Sequence, residues 1–329
     1  MTRKFEDYEA TREQLPLLVG LMGPSNGGKT FSALRLATGI QKVSGGDIYF
    51  IDTEARRSLQ YADKFNFRHV PFGAPFGPLD YLAAIHHCVD RGAGVVIVDS
   101  MSHEHEGPGG VLDTHETEVE RLSKAWKTTR DAVQFPAWGK PKGDRRRLIN
   151  SILQLQTNFI FCFRAKQKVR MPNRDKGEKK PQSIGFMPIA GEEFLYEMTV
   201  CGLLPPGSQG IPQWHSEHHD GEGLMIKLPA QFANIVTTGS AVAQLSEDIG
   251  EKMAHWAAGG KLNPREVLAA IAAADTAEQL KAIASANKRK PWSGEDRDAI
   301  GAAITARKDE LKRREISAPP AEAGDAWEA

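Results

Sequence analysis

Apolar residues recur along most of the chain in short runs of strand length, separated by segments with helical spacing. The runs are rich in β-branched and aromatic side chains, which favours strands. Strands are expected at residues 16–22, 47–52, 94–100, 158–163 and 197–204, with a short strand or docking segment at 184–190. Helices are expected at 31–37, 80–89 and 148–153, and a loop followed by a helix at 101–133. The alternation predicts an α/β fold of three layers with a mostly parallel central sheet.

The pattern changes after the glycine pair Gly259 and Gly260. Pro264, Thr276 and Ser293 each stand at the start of a helix signal, which predicts a small helical module over residues 261–316. Residues 317–329 are rich in Pro, Ala and Glu with a single Trp327, which is typical of a disordered tail. The expected organisation is an arm at 1–15, an α/β domain at 16–257, the module and the tail.

Composition narrows the function only slightly. The formal net charge is zero, so any nucleic-acid binding must come from a local basic patch. The three cysteines, Cys88, Cys162 and Cys201, lie far apart, which argues against a zinc site or disulfide framework and for a reducing compartment. No signal peptide and no apolar run of membrane-spanning length is present, which predicts a cytoplasmic protein that does not enter a membrane.

One motif carries specific chemistry. Residues 23–30 read G-P-S-N-G-G-K-T, the G-x-x-x-x-G-K-[ST] pattern of a P-loop, between a predicted strand and a predicted helix. Backbone N–H groups of such a loop and the following helix N-terminus hold phosphate oxygens. Lys29 is expected to bridge two phosphates and Thr30 to place a hydroxyl on Mg²⁺. The predicted nucleotide site comprises Gly23, Pro24, Ser25, Asn26, Gly27, Gly28, Lys29, Thr30, Phe31 and Tyr61.

Two acids follow predicted strands. Glu54 comes just after the strand ending at Asp52, and Asp99 ends the apolar strand at 94–100. Ligands bind at the carboxyl edge of α/β sheets, so Glu54 is a candidate for polarising the attacking water and Asp99 for holding Mg²⁺. The alternative for each is a carboxylate that caps the next turn. Glu104 and Glu106 follow Asp99 closely enough to approach the same site.

Basic residues concentrate around the fourth predicted strand. Residues 140–147 carry five bases against one acid, and a long basic loop is expected after residue 163. Such a patch on a neutral protein suits a phosphate backbone, although charge runs are usually solvated surface. The predicted nucleic-acid contacts are Arg145, Arg146, Arg147, Lys168, Arg170, Arg174, Lys176, Lys179 and Lys180.

Together these blocks resemble RecA-type recombination ATPases, in particular the single-domain RecA-like annealing proteins of bacteriophages. The resemblance rests on residues 23–30, 50–54 with 61–64, and 95–100, and more weakly on 158–161 with Arg164, Lys166 and Gln167. It implies a RecA-like P-loop core that hydrolyses ATP with Mg²⁺. It also implies single-stranded DNA as partner, a ring or filament of identical subunits, a single-strand-binding protein as a further partner, and the cytoplasm of a bacterial host.

The resemblance also implies roles for single residues. Glu54 matches the catalytic glutamate, Tyr61 an aromatic that stacks on adenine, and Asp99 the carboxylate on the Mg²⁺ side. Gln167, or a neighbour such as Arg164 or Lys166, resembles the position that senses the γ-phosphate and leads into the DNA-binding loop. Ser58 departs from the family, which often has an acid there near the adenine. A DNA-packaging or remodelling ATPase, and a weakly hydrolysing nucleotide-gated binding module that recruits replication proteins, are the alternative functions.

Overall fold

The computed structural model describes residues 15–172, 181–214, 226–238, 241–258, 264–287 and 294–317. Its strands are β1 (Leu18–Gly23), β2 (Asp47–Asp52), β3 (Arg68–Pro71), β4 (Ala93–Asp99), β5 (Asn158–Arg170), β6 (Gln182–Pro188), β7 (Val200–Leu203), β8 (Thr237–Thr238) and β9 (Ala241–Val242). The first seven form one sheet in the order β3-β2-β4-β5-β1-β7, with β6 joined to β5. All its pairings are parallel except β5 with β6. Strands β8 and β9 form a separate antiparallel pair.

Helices cover both faces of this sheet. The helices of the described residues are α1 (Lys29–Ser44), α2 (Pro78–Val89), α3 (Ser102–Glu106), α4 (Val111–Trp126), α5 (Arg130–Ala137), α6 (Gly139–Ile152), α7 (Glu192–Tyr196), α8 (Ala230–Ala233), α9 (Glu247–Ala258), α10 (Pro264–Ala273), α11 (Ala277–Asn287) and α12 (Gly294–Ser317), besides a 3₁₀ turn at Arg57–Tyr61. Helices α1 and α9 pack with Val95 and Ile97 of β4, whereas α2 and α6 pack with Val96 and Val98. Successive strand residues point to opposite faces, so the apolar run in β4 is buried on both sides. The predicted α/β class with a mostly parallel sheet is confirmed.

The largest difference from the sequence-based prediction concerns the basic segment after residue 163. A loop was expected there, but β5 continues to Arg170 and pairs with β6 as an antiparallel hairpin. Beyond the end of its parallel neighbours, β5 is paired with β6 from Ala165 to Arg170. Ala165 is buried, whereas Lys166 and Lys168 are exposed. The short-strand alternative for residues 184–190 is therefore the observed one.

Three other boundaries also differ from the prediction. The basic run at 140–147 lies inside α6, which begins at Gly139. The helix expected up to residue 133 ends at Trp126, where Lys127 takes a left-handed conformation with φ 49°, and α5 then begins at Arg130. The strand expected at 197–204 is limited to β7, and α7 precedes it. Periodicity alone places such ends poorly, because turn conformations and tertiary contacts set them.

The chain divides into two compact units, and the division falls before Leu15 and after Ala258. The first runs from Leu15 to Ala258 and contains the sheet. The second includes α10, α11 and α12, whose apolar residues Ile271, Leu280, Ile300 and Leu311 form a core of their own. The helix signals at Pro264, Thr276 and Ser293 thus correspond to α10, α11 and α12. Residues 1–14 of the predicted arm and residues 318–329 of the predicted tail lie outside the described residues. Among the described helices, none has both the length and the apolarity to cross a bilayer.

Candidate functional site

The carboxyl ends of four neighbouring strands bring the chemically interesting residues to one edge of the sheet. In the parallel register, Asp52 of β2 lies beside Asp99 of β4, and Arg164 of β5 lies beside Gly23 of β1. The two partners are 47 positions apart in the sequence in the first pair and 141 in the second. Side chains that leave a parallel sheet at this edge converge on one crevice, which is where α/β proteins bind ligands.

The glycine-rich loop at residues 23–30 connects β1 to α1 and is tightly folded. The Gly27 N–H donates to the Pro24 carbonyl at 3.2 Å, and Gly28 adopts φ 83°, a conformation that favours glycine. A Cβ on Gly27 would lie 2.6 Å from the carbonyl oxygen of Leu204, so the backbone after β7 leaves no room for a side chain. The Lys29 ammonium group donates to the carbonyls of Gly23 at 2.9 Å and Pro24 at 2.8 Å.

Thr30 and Asp99 meet on the floor of the crevice. The Thr30 hydroxyl donates to Asp99 Oδ2 at 2.6 Å. Burial raises the pKa of Asp99 to about 6, although the Thr30 hydrogen bond and the Lys29 charge oppose the rise. Within the described residues no group of three or more His, Cys, Asp or Glu side chains is arranged for a metal ion. A hydroxyl and a carboxylate still suit Mg²⁺, which keeps several waters and takes few protein oxygens beside a phosphate.

Glu54 lies in the same crevice and is held by Arg164. The guanidinium Nε and Nη2 atoms donate to the two carboxylate oxygens at 2.8 Å and 2.6 Å. Burial favours the neutral acid, but the hydrogen bonds and charge of Arg164 outweigh it, so the pKa of Glu54 is lower than usual. Glu54 is therefore ionised at neutral pH, and both of its oxygens are engaged by one side chain.

Asp52 organises the turn that presents Glu54, a role that the sequence analysis missed. Its carboxylate accepts hydrogen bonds from the N–H of Glu54 at 2.8 Å and the N–H of Ser58 at 3.0 Å. The hydroxyl of Ser58 also donates to Asp52, at 2.5 Å. Ser58 is buried and does not line the crevice. The sequence contains one signal for this role. An Asp side chain at the start of a turn often accepts a hydrogen bond from the backbone N–H two positions later, as Asp52 does from Glu54.

A cavity of about 300 Å³ connects these groups. Phe31 and Tyr61 form an aromatic wall, with ring centroids 5.7 Å apart, and Arg57 and Gln60 add polar groups that were not predicted. Gly23, Pro24, Gly27 and Arg164 are not among the lining residues, although the first three shape the loop. The lining consists of Ser25, Asn26, Gly28, Lys29, Thr30, Phe31, Glu54, Arg57, Gln60, Tyr61 and Asp99.

The structure does not bring every residue of the predicted sensor segment to the cavity. Arg164 contacts Glu54, but Gln167 is exposed in the hairpin and donates to Ser183 Oγ at 3.2 Å. Gln167 and Lys166 do not line the cavity. Strand alternation explains the position of Gln167, which is three residues from Arg164 and leaves the opposite face of β5. Lys166 leaves the same face as Arg164 but lies two residues further along, in the part of β5 that pairs with β6. Of the three candidates for the sensing position, Arg164 is the one that contacts a residue of the cavity lining, Glu54.

Arg145 requires a second correction. It was expected to contact nucleic acid, but its guanidinium is buried and donates to both carboxylate oxygens of Glu104, at 3.0 Å and 2.8 Å. Glu104, in turn, is held by Arg145 and does not line the cavity beside the glycine-rich loop, contrary to the expectation that it approaches the same site as Asp99. Helical geometry accounts for the difference, since Arg145 lies on the inner face of α6. Glu106 is exposed and is likewise absent from the lining.

The remaining predicted nucleic-acid contacts fall into two groups. Arg146 and Arg147 are exposed on α6, and Lys168 is exposed on the hairpin. Arg170 ends β5. Arg174, Lys176, Lys179 and Lys180 lie outside the described residues.

No protein-family model matches the chain, and no curated protein is significantly similar to it in sequence. The functional interpretation therefore depends on the geometry described above.

Proposed function

We propose that this protein is a RecA-like P-loop ATPase that binds ATP and Mg²⁺ and acts on single-stranded DNA. The observation that carries the proposal is the arrangement of Thr30 and Asp99, 2.6 Å apart, beside the glycine-rich loop and in one cavity with an ionised Glu54. Phosphoryl transfer to water requires hydrogen-bond donors for the phosphate oxygens, ligands for Mg²⁺ and a carboxylate that can act on the attacking water.

The glycine-rich loop would bind the triphosphate. Loop N–H groups and the N-terminus of α1 favour anionic oxygens, and Lys29 would exchange the neutral carbonyls of Gly23 and Pro24 for charged phosphate oxygens. Phe31 and Tyr61 offer an apolar wall for the base. Thr30 and Asp99 would hold Mg²⁺. A bound Mg²⁺ ion would neutralise part of the negative charge on the phosphates.

Glu54 would orient the attacking water and accept its proton. Both carboxylate oxygens are bound by Arg164 in the structure, so one oxygen must become free before Glu54 can accept a proton. The Arg164 side chain would therefore have two alternative partners, the Glu54 carboxylate and the phosphate of a bound nucleotide. It also begins the part of β5 that continues into the β5–β6 hairpin, so its movement would couple nucleotide binding to the hairpin.

The β5–β6 hairpin would contact single-stranded DNA. Lys166 and Lys168 are exposed there, and Val169 beside them is 51% exposed. Cations that follow a backbone, with apolar surface for bases, suit binding that does not depend on sequence. A ring or filament of subunits on DNA, aided by a single-strand-binding protein, is part of the same proposal.

ATP binding and hydrolysis test the nucleotide site. Lys29→Ala should abolish both, whereas Glu54→Gln should bind ATP as the natural chain does and lose turnover by roughly a hundredfold or more. Lys124→Ala, an exposed lysine on α4, is the control and should change neither. Unchanged ATP affinity in Lys29→Ala would refute the site. Tight binding with negligible turnover in the natural chain would instead support the nucleotide-gated binding module.

DNA affinity at several salt concentrations tests the hairpin. Lys166→Glu with Lys168→Glu should weaken binding to single-stranded DNA and make the slope of log affinity against log salt shallower by about 1.4, as expected for two lost phosphate contacts. Arg91→Glu with Lys124→Glu changes the net charge equally at exposed positions elsewhere. Equal effects of the two pairs would show that the hairpin is not the contact. Stimulation of ATPase by double-stranded DNA alone would support a packaging enzyme.

A further inference from the structure

An apolar groove in the second unit has no role in the ATPase proposal. It lies between α11 and α12 and has a volume of about 430 Å³. Its walls are Leu280, Ala284, Ile304 and Leu311, together with Ala277 at one end. The volume lies in the range of pockets that accept a large organic group, so an aromatic side chain fits within it.

The rim of the groove is strongly cationic. Lys281, Lys308 and Lys312 line it, and all three are exposed. Within the described residues none of them takes part in an ion pair, whereas Arg307 of α12 pairs with both Glu310 and Asp275. Three unpaired cations around an apolar floor favour an occupant that combines an apolar anchor with several carboxylates.

We infer that the groove binds residues 322–328 of this same chain, with Trp327 on the apolar floor and the acids against the lysine rim. That segment holds Glu322, Asp325 and Glu328, has no Lys or Arg, and carries Trp327 as its single aromatic residue. Its charge and its one large apolar group complement the groove. An indole is also a strong anchor, because it buries a large apolar area at a low cost in side-chain entropy.

The length of the chain allows this contact. Helix α12 ends at Ser317, and the groove residue Lys312 lies five positions earlier, about 7.5 Å along the helix. The ten residues from 318 to 327 span up to about 33 Å when extended. Trp327 can therefore fold back over the whole groove, including Ile304 at its far end. Because the linking segment is short, its effective concentration near the groove is high, which favours binding within one chain over binding to a second copy.

Fluorine NMR of the full chain labelled with 5-fluorotryptophan tests the inference. The signal of Trp327, assigned by its loss in Trp327→Phe, should be shifted from that of free fluoroindole and protected from a soluble paramagnetic agent. Lys308→Glu with Lys312→Glu should return it to the free position and increase the relaxation caused by the agent severalfold. Arg313→Glu, an exposed position of the same helix outside the groove, is the matched control and should leave the signal unchanged.

Two further variants distinguish loss of the Trp327 contact from damage to the helical module itself: one exchanges the charges of groove and segment, and the other fills the groove. Adding Asp325→Lys and Glu328→Lys to the lysine variant should restore the shifted signal. Ala284→Phe, which fills the groove and keeps its charge, should release Trp327 with unchanged helicity by circular dichroism. A Trp327 signal at the free position in the natural chain would overturn the inference. So would a shifted signal that disappears on dilution, because it would place the segment in a second copy.

Discussion

Arg164 engages both carboxylate oxygens of Glu54, which makes this pair the strongest polar contact at the crevice. An exposed ion pair contributes little to stability, but Glu54 is largely buried and its partner is bidentate. Arg57 also approaches Glu54, with 3.7 Å between Nη1 and Oε2, yet its side chain is 72% exposed. The two arginines therefore allow a direct comparison at one carboxylate.

A double-mutant cycle in urea unfolding should give a coupling of about 1 kcal/mol between Glu54→Gln and Arg164→Ala, after allowing for the partial exposure of Arg164. Each single change leaves one partly buried polar group without its partner, so the double variant should lose less than the sum. The same cycle with Arg57→Ala is the control and should give a much smaller coupling. Additivity within about 0.3 kcal/mol for Arg164 would contradict the pair.

Arg145 and Arg146 are sequence neighbours with opposite environments, which makes their substitutions informative. Arg145→Ala should lower the free energy of unfolding by about 3–5 kcal/mol, because it leaves Glu104 buried and ionisable without a partner. Arg146→Ala, at an exposed position of the same helix, should change it by less than about 0.5 kcal/mol. Arg145→Ala combined with Glu104→Ala should recover part of the loss. Similar losses for the two arginine variants would refute the buried pair.

His105 gives the protein a specific dependence on acid. Burial and then the charge of Arg145 lower the pKa of His105 to about 4 from 6.5, and Arg145 Nη2 donates to its Nδ1 at 2.8 Å. Since arginine can only donate, Nδ1 must be the unprotonated nitrogen. The unfolded chain therefore binds a proton at higher pH than the folded chain, and this residue reduces stability as the pH falls from about 6.5 to about 4.

Replacing His105 by Asn should reduce the loss of unfolding free energy between pH 7.5 and pH 5 by about 1–2 kcal/mol, allowing for partial solvent screening. The amide oxygen of Asn can still accept from Arg145. His87→Asn on the exposed face of α2 is the control for losing an imidazole. A pH dependence that is the same in both variants would exclude His105 as its source. Urea unfolding at the two pH values provides the measurement.

At the scale of elements, α1 owes its position to a close approach by α9. A Cβ on Gly39 would lie 2.7 Å from the N atom of Glu251 and even closer to the Glu247 carbonyl oxygen, and Gly250 faces Leu36 in the same way. The ion pair between Arg35 and Glu247, at 2.8 Å, joins the same two helices. Since α1 also begins at the glycine-rich loop, this packing fixes the direction of the helix behind the proposed phosphate site.

Gly39→Ala should therefore destabilise the protein by about 1–3 kcal/mol, because the new methyl group forces α1 and α9 apart. Gly143→Ala is the matched control. It lies inside α6 with no atom within 4 Å of the new Cβ, and it should stabilise the helix by about 0.5–1 kcal/mol. Chemical unfolding measures both effects. A stabilising Gly39→Ala would mean that the two helices do not pack at this distance.

At the scale of the whole molecule, the residues that line the proposed nucleotide cavity all belong to the unit from Leu15 to Ala258. That unit contains its own sheet and two apolar cores. A chain of residues 15–258 should therefore fold and bind ATP within about twofold of the full chain, because compact units with their own core can fold alone. Isothermal titration measures the affinity, and loss of folding or of binding in the shortened chain would contradict this independence.

The sequence by itself determined the features that depend on neighbouring residues. The loop at 23–30, the apolar strand that ends at Asp99 and the three helix starts after Gly260 are short patterns whose physics is local, so they predicted the α/β class and the positions of Lys29 and Thr30. The environments of single side chains were predicted less well. Whether Arg145 faced solvent and whether Gln167 reached the cavity could not be deduced from a run of basic residues.

Only the tertiary structure decided which distant groups meet. Glu54 and Arg164 are 110 positions apart, and Arg145 and Glu104 are 41 apart, so each pair depends on strand register and helix rotation. The extension of β5 to Arg170 likewise required a partner strand more than ten residues later. Local periodicity encodes which face of an element is buried, but the partner of a buried charge is fixed only when non-local packing brings a second element against it.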